Sequence, residues 1–448
     1  MIVGAPAPSS PETATMRRIL FRAAALALLL TLQQPATAAI EIRFWHSMTG
    51  TLGERIEEAV NQFNASQAHY RVVASYHGDD AMGAAPGATS AGPHIIQAAE
   101  AATGTLLATR HVFRPVQQVM AEAGMRLDAN SFYAPVAAYL QDHGQLAALP
   151  FNVTTPAFFY NKDAFAKAGL DPARAPRTWR EVQEAALALR DAGLGCGYTT
   201  SWPAWIHLEH LSAWHDEPVA TRANGFDGAD AKLTFNGVML IRHISLLSSW
   251  LKSRIFTYAG RANEGDARFS AGECGMLTTS SSAYADVAGR ARFAFGVAAM
   301  PYYDEFPHAP HNSIPGGSAL WVLSGKNASE YRGVAAFLAF LSRPEVQAEW
   351  HQRTSYLPTG PAVFELARQQ GFYETRPGFE VFVKQLVQRA PSANSRGLRI
   401  RHLPQVRAIL DEELEAVWNG RKTPKEALDE AVERGNRLLD GMHKARLR

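Results

Sequence analysis

Apolar positions along the chain change period in a way that marks out its elements. Ile40 to Trp45 alternates between apolar and polar, the signature of a half-buried strand. Ile56, Ala59, Val60 and Phe63 then recur at i, i+3, i+4 and i+7, one face of a helix. Tyr70 to Tyr76 is β-branched and aromatic and predicts a second strand; His94 to Gln97 predicts a third. Strand, helix and strand in this order predict a doubly wound α/β sheet, which binds ligands at the carboxyl ends of its strands. Between the second and third strands, Gly78 to Pro93 carries Pro86 and four glycines where a crossover helix belongs. Glycine and proline cost a helix interior about 1 and 3 kcal/mol, so this stretch reads as loop.

The same reading continues downstream. Ala157 to Tyr160 predicts a short strand and Asn161 to Gly169 a short helix. Thr178 and Glu181 form a capping box ahead of a stripe at Trp179, Val182, Ala186 and Leu189. Phe293 to Met300 and Ala319 to Leu323 read as strands, the second preceded by Gly316-Gly317. Val334, Phe337, Leu338 and Leu341 mark a helix that Arg343-Pro344 ends. The C-terminal part is helical, with Val406, Ile409, Leu410, Leu414 and Val417 on one face and a second capping box from Thr423 to Glu426. No internal repeat and no sustained heptad are visible.

Composition narrows the class. The 448 residues suggest two or three folding units, and 47% hydrophobic against 19% charged residues is enough for a sizeable core. A net charge of +2 gives no broad positive field for nucleic acid and no polybasic membrane address. Residues 1–39 read as a signal peptide: Arg17, Arg18 and Arg22 flank an apolar run from Ile19 to Leu32, and Ala36-Thr37-Ala38 supplies the small-x-small cleavage pattern. Its removal takes away three arginines and one glutamate, which leaves the mature chain formally neutral. With no cysteine at the cleavage point, the expected product is periplasmic and carries no lipid anchor. Cys196 and Cys274 then meet oxidising conditions, either as a disulfide or as two buried thiols.

Signals for catalysis are weak. The chain has no G-x-S-x-G elbow, no H-E-x-x-H and no P-loop. Gly193 to Gly197 follows a helix and reads as a turn, and His308 and His311 sit in a proline-rich loop of solvated character. Asp411, Glu412, Glu413 and Glu415 share one helix, where some must face solvent. Features of a small-molecule cleft are stronger. Trp202, Trp205 and Trp214, interleaved with His207, Glu209 and His210, offer flat apolar walls for a polyol, or else ordinary core. Thr278 to Ser282 gives five hydroxyls in a row, Gly316-Gly317 lets a ligand approach the backbone, and Arg399, Arg401 and Arg407 are candidate phosphate partners.

Taken together, several segments resemble the extracellular solute-binding proteins of ABC importers, of the maltose-binding-protein type, and within them the branch that binds glycerol-3-phosphate. They are FWHSM at 44–48, YNKDAF at 160–165 with Ala168-Gly169-Leu170 and Thr178-Trp179, NGFDG at 224–228, GGSALW at 316–321, and EWHQ at 349–352 with Tyr356-Leu357-Pro358-Thr359. The likeness runs from about residue 40 to 440. It implies two α/β lobes, each a mostly parallel doubly wound sheet flanked by helices, with the ligand cleft between them. The expected division is 40–152 plus 317–357 for one lobe and 153–316 plus 358–448 for the other. It further implies a monomer that catalyses nothing, needs no cofactor or metal, and hands its ligand to a membrane permease driven by ATPase subunits.

The ligand would be sn-glycerol-3-phosphate, glycerophosphodiesters such as glycerophosphocholine, or both. The family's ligand contacts match Glu100, Thr154, Trp202, Trp205, Ser280, Gly317, Tyr356 and Arg407. Arg407, Tyr356, Ser280 and the Gly317 amide would hold phosphate, Glu100 the glycerol hydroxyls, and Trp202 the carbon chain. One departure stands out: the family's tyrosine after the second strand is missing, and Asp79 and Asp80 stand there instead. That makes Asp80 a further candidate, suited to a cationic head group. Two other readings remain: an oligosaccharide-binding protein of the same superfamily, and a secreted phosphodiester hydrolase using His308, His311 and nearby carboxylates.

Overall fold

Two sheets and three apolar clusters organise the chain. The computed structural model describes residues 1, 2, 4, 39–78 and 92–446. The apolar export segment, its cleavage pattern, Asp79 and Asp80 lie outside the described residues. In chain order the strands are β1 (Ile40–His46), β2 (Tyr70–Tyr76), β3 (Ile95–Ala99), β4 (Phe113–Arg114), the short hairpin of β5 (Gln141–Asp142) and β6 (Gln145–Leu146), and β7 (Leu149–Thr154). They continue as β8 (Pro156–Asn161), β9 (Cys196–Thr200), β10 (Phe256–Tyr258), β11 (Cys274–Ser280), β12 (Phe295–Ala298) and β13 (Gly316–Leu323). Five helices matter below: α1 (Gly50–Ser66), α2 (Trp179–Asp191), α3 (Ala328–Leu341), α4 (Leu403–Trp418) and α5 (Pro424–Arg446).

The first sheet runs β2-β1-β3-β13-β4, with β7 also paired to β13; the second runs β10-β9-β11-β8-β12. Each begins as the alternating pattern predicts, with three parallel strands: β2, β1 and β3 in one, β10, β9 and β11 in the other. Each is completed by strands that run the opposite way, β13 against β3, β4 and β7, and β8 against β11 and β12. One apolar cluster encloses the first sheet through Ile42, Phe44, Ile96, Trp321 and the α3 residues Val334, Phe337 and Leu338. The second sheet is covered on both faces, and alternation along β8 shows it: Phe158 and Tyr160 join one cluster, Ala157 and Phe159 another.

Local signals set the helix ends as read. Thr178 Oγ1 accepts from the Glu181 amide at 3.1 Å while the Glu181 carboxylate accepts from the Thr178 amide, closing the capping box of α2. Thr423 and Glu426 repeat the exchange at the start of α5. Cys196 and Cys274 form a disulfide between paired positions of the neighbouring strands β9 and β11, which resolves the open alternative. Among the described residues no helix is long and apolar enough to cross a membrane.

The sheets are joined at a narrow crossing. Only Thr155 separates β7 from β8, and it is fully buried. Its amide donates to Ser281 Oγ at 3.1 Å, its carbonyl accepts from the Ser281 amide at 2.8 Å, and its hydroxyl meets that of Ser313, just ahead of β13. A third segment passes beside them, where the Leu357 amide donates to the Val153 carbonyl at 2.7 Å.

Candidate binding site

The parallel strands deliver their carboxyl ends to one place. Ser47 follows β1, Glu100 follows β3, Trp202 follows β9, and Ser280 ends β11. The crossing strands add Thr154 at the end of β7 and Gly316-Gly317 at the start of β13. Together with Tyr356 and the face of α4 bearing Arg407, Ala408 and Asp411, they enclose a cavity of about 770 Å³. Eight of the nine expected ligand residues line it: Glu100, Thr154, Trp202, Trp205, Ser280, Gly317, Tyr356 and Arg407. The ninth, Asp80, lies outside the described residues.

Trp202 and Trp205 divide the tryptophan cluster from within. Trp202 is 40% exposed and held with φ at +53°, its amide bonded to the Ala262 carbonyl at 2.8 Å. So bulky a residue is unusual in the left-handed region, and strain of this kind clusters at ligand sites. Trp205 opens a π-helical turn, Trp205–His210, another feature common at functional positions. Trp214, by contrast, is core: it is fully buried and its Nε1 donates to the Met300 carbonyl at 3.1 Å. The π turn is anchored from behind by a buried chain of contacts, Tyr198 to His207 (3.2 Å), His207 to His243 (2.9 Å) and His243 to Tyr303 (2.8 Å). Burial pushes the His207 imidazole down to about 3 and that of His243 well below its ordinary value, so both rings stay neutral.

Both glycines at the start of β13 are sterically required. A Cβ on Gly316 would lie 2.6 Å from the Trp205 ring; one on Gly317 would lie 1.8 Å from the Asn152 carbonyl oxygen. Gly317 also has φ at +98°. Gly317→Ala is therefore expected to cost about 2–3 kcal/mol, combining left-handed strain with overpacking. Urea unfolding measures this; a loss under 1 kcal/mol would show that β7 and β13 separate easily.

Electrostatically the cavity is arranged around Arg407. Its Nε and Nη2 donate to the two carboxylate oxygens of Glu209 at 2.5 and 2.9 Å, and Nη1 lies 2.8 Å from Glu100. Burial works to lower the affinity of Arg407 for its proton, but Glu209 and Glu100 together hold it well above the ordinary value. A guanidinium has five N–H donors, so two are left for a ligand. Glu100, expected to serve hydroxyls, thus already neutralises the expected phosphate partner. Tyr356 is buried, and its hydroxyl, pushed up to about 12 by that burial, stays a donor; it lies 3.7 Å from Met48 Sδ. Ser280 and Ser282 are the two hydroxyls of the 278–282 run that reach the cavity. Thr278 is spent on Tyr198 and Ser281 on Thr155.

Two of the three candidate arginines are placed elsewhere. Arg399 donates to the backbone carbonyls of Ala138, Tyr139 and Gln141 at the end of a helix and stacks on Phe226, and Arg401 donates to the Ala229 carbonyl. Charge at a helix carboxyl end explains the first placement. Among the described residues no three histidine, cysteine or acidic side chains are grouped so as to hold a metal ion. The sequence reading missed Arg261, Gln405, His402 and Asp411 as cavity-lining groups. Only the spacing of Arg407, Asp411 and Glu415 by four residues along α4 could have pointed to the last.

The model of the bacterial extracellular solute-binding protein family matches residues 58–380. A periplasmic sn-glycerol-3-phosphate-binding protein of Yersinia pseudotuberculosis is 46% identical over 420 residues, spanning 92% of this chain and 95% of the relative. Its Escherichia coli counterpart is 44% identical over 436 residues, 96% of this chain and 99% of the relative. Among solved structures, a cyclic α-maltosyl-1,6-maltose-binding protein of Arthrobacter globiformis superposes with a TM-score of 0.72 at 21% identity, covering 90% of this chain and all of that one. The glycerophosphocholine complex of a Mycobacterium tuberculosis protein gives 0.72 at 20% identity, covering 90% and 99%. These two likenesses concern the fold, which is the two-lobed arrangement of such proteins. With a family model over most of its length and relatives above 40% identity, the chain belongs to the bacterial extracellular solute-binding proteins.

Proposed function

We propose that this protein is the periplasmic substrate-binding subunit of an ABC importer, capturing sn-glycerol-3-phosphate, glycerophosphodiesters such as glycerophosphocholine, or both. It acts as a monomer after loss of residues 1–39, catalyses no reaction, and passes its ligand to a permease coupled to ATPase subunits. The observation that carries this reading is the convergence of eight expected contact residues on one cavity between the two sheets. Two spare donors on Arg407, the Tyr356 hydroxyl, the Ser280 and Ser282 hydroxyls and the backbone at Gly317 suit a phosphate oxygen set. Trp202 and Trp205 give the apolar wall that a short carbon chain needs.

Calorimetric titration of refolded, ligand-stripped protein tests it. Glycerol-3-phosphate or glycerophosphocholine should bind with a Kd well below 1 mM, a free energy beyond about −4 kcal/mol. Binding of neither, with stabilisation by maltose or trehalose instead, would replace the reading by that of an oligosaccharide-binding protein.

A further inference from the structure

Arg407, Asp411 and Glu415 occupy successive turns of one face of α4. The outer two are satisfied: Arg407 by Glu209 and Glu100, Glu415 by bidentate contact with Arg261 at 2.8 and 2.6 Å and by the Tyr258 hydroxyl at 2.9 Å. The remaining acids of this helix are also paired, Glu412 with Arg434, and Glu413 with Lys422 and Arg434. Asp411 differs. It lines the cavity, and its Oδ1 is shut off from water without a hydrogen-bond partner. Both nearby arginines are committed to other carboxylates, and Glu209 and Glu415 face it with negative charge. Counting Glu100, this surround of three carboxylates and two guanidinium groups already sums to −1. A second uncompensated negative charge placed there, half out of water, is costly.

We propose that Asp411 is the proton-bearing acid of the cleft, and that an anionic phosphate bound beside Arg407, one helical turn away, keeps it protonated, so that ligand capture draws a proton into the site. The inference rests on the phosphate-ester reading above. Burial, opposed by Arg261 and Arg407 and aided by Glu415 and Glu209, pushes the Asp411 carboxyl up to about 7. Binding an anion raises it further, so affinity is greatest where the acid is already protonated and falls as pH rises past neutrality. His402 also lines the cavity, but burial and then Arg401 lower its imidazole, so above pH 6.5 it is neutral and silent.

The probe is glycerophosphocholine, whose phosphodiester carries no titrating proton near neutrality. Calorimetry from pH 6.8 to 8.5 should show binding weaken about tenfold. Heats compared in Hepes and Tris buffers, neither of which carries a phosphate that would compete for the site, should show net proton uptake on binding. Asp411→Asn should bind at both ends of the range with a flat profile and no uptake, while Asp411→Glu keeps the slope. Wild-type binding with a flat profile, or with proton release, overturns the inference alone. A slope retained in Asp411→Asn does the same. No binding of glycerophosphocholine, with glycerol-3-phosphate also failing to bind at any pH, takes down the ligand reading and this inference with it. Glycerol-3-phosphate binding alone, at a constant affinity across the range after allowance for its own titration, overturns the inference and keeps the reading. The uptake measurement needs no variant, so misfolding of Asp411→Asn leaves the test intact.

Discussion

Replacing Arg407 with methionine is expected to remove ligand binding by at least a hundredfold and to destabilise the protein by about 3–5 kcal/mol. The stability effect follows from what is left behind. Glu209 is 3% exposed and Glu100 is half-buried on the facing wall; both spend their charge on this one guanidinium. Without it, two carboxylates confront each other in a poorly hydrated place. Arg407→Lys keeps a charge but loses the fork that spans both carboxylates, and should fall between the two. Urea unfolding and calorimetry measure the two effects separately. A methionine variant within 1 kcal/mol of wild type would mean that water already screens the cluster.

Loss of the Cys196–Cys274 disulfide is the second large effect. The bridge closes a stretch of 78 residues, for which the chain-entropy relation gives about 4.5 kcal/mol of stabilisation. The enclosed stretch contains Trp202, Trp205, Glu209 and the buried His207–His243 contact, so it is the part of the cavity wall carried by the second sheet that loosens. The double variant Cys196→Ala/Cys274→Ala, and wild type melted with dithiothreitol, should both show a much lowered melting temperature. Unchanged melting would mean that parallel pairing of β9 with β11 holds these strands without help.

The fold was readable wherever one local period persisted. β1, α1, β2 and both capping boxes fall where alternation, helical spacing and cap chemistry put them, because each depends on neighbours in the chain. β13 was visible as an apolar run, but its role as the strand returning between β3 and β7 depends on partners more than a hundred residues away. The site divides in the same manner. Resemblance carried Arg407 and Glu100, while their contact with each other and with Glu209 was invisible, since it joins three segments across both sheets. Arg399 shows the converse: a sequence neighbour of Arg407 with the same chemistry, it is consumed by backbone carbonyls at a helix carboxyl end while it stacks on Phe226.

The crossing at Thr155 has a kinetic consequence. Thr154 and Gly317 line the cavity within a few residues of the point where the sheets join, and Thr155 is tied there by Ser281 and Ser313. Residues at a fulcrum move least when the lobes part, so they meet the ligand in the open state and set how fast it is captured. Trp202, just past β9, and Arg407, on α4, line the cavity from elements that are not part of this crossing. Substitutions near the fulcrum should therefore act mainly on association, those along the walls mainly on residence time.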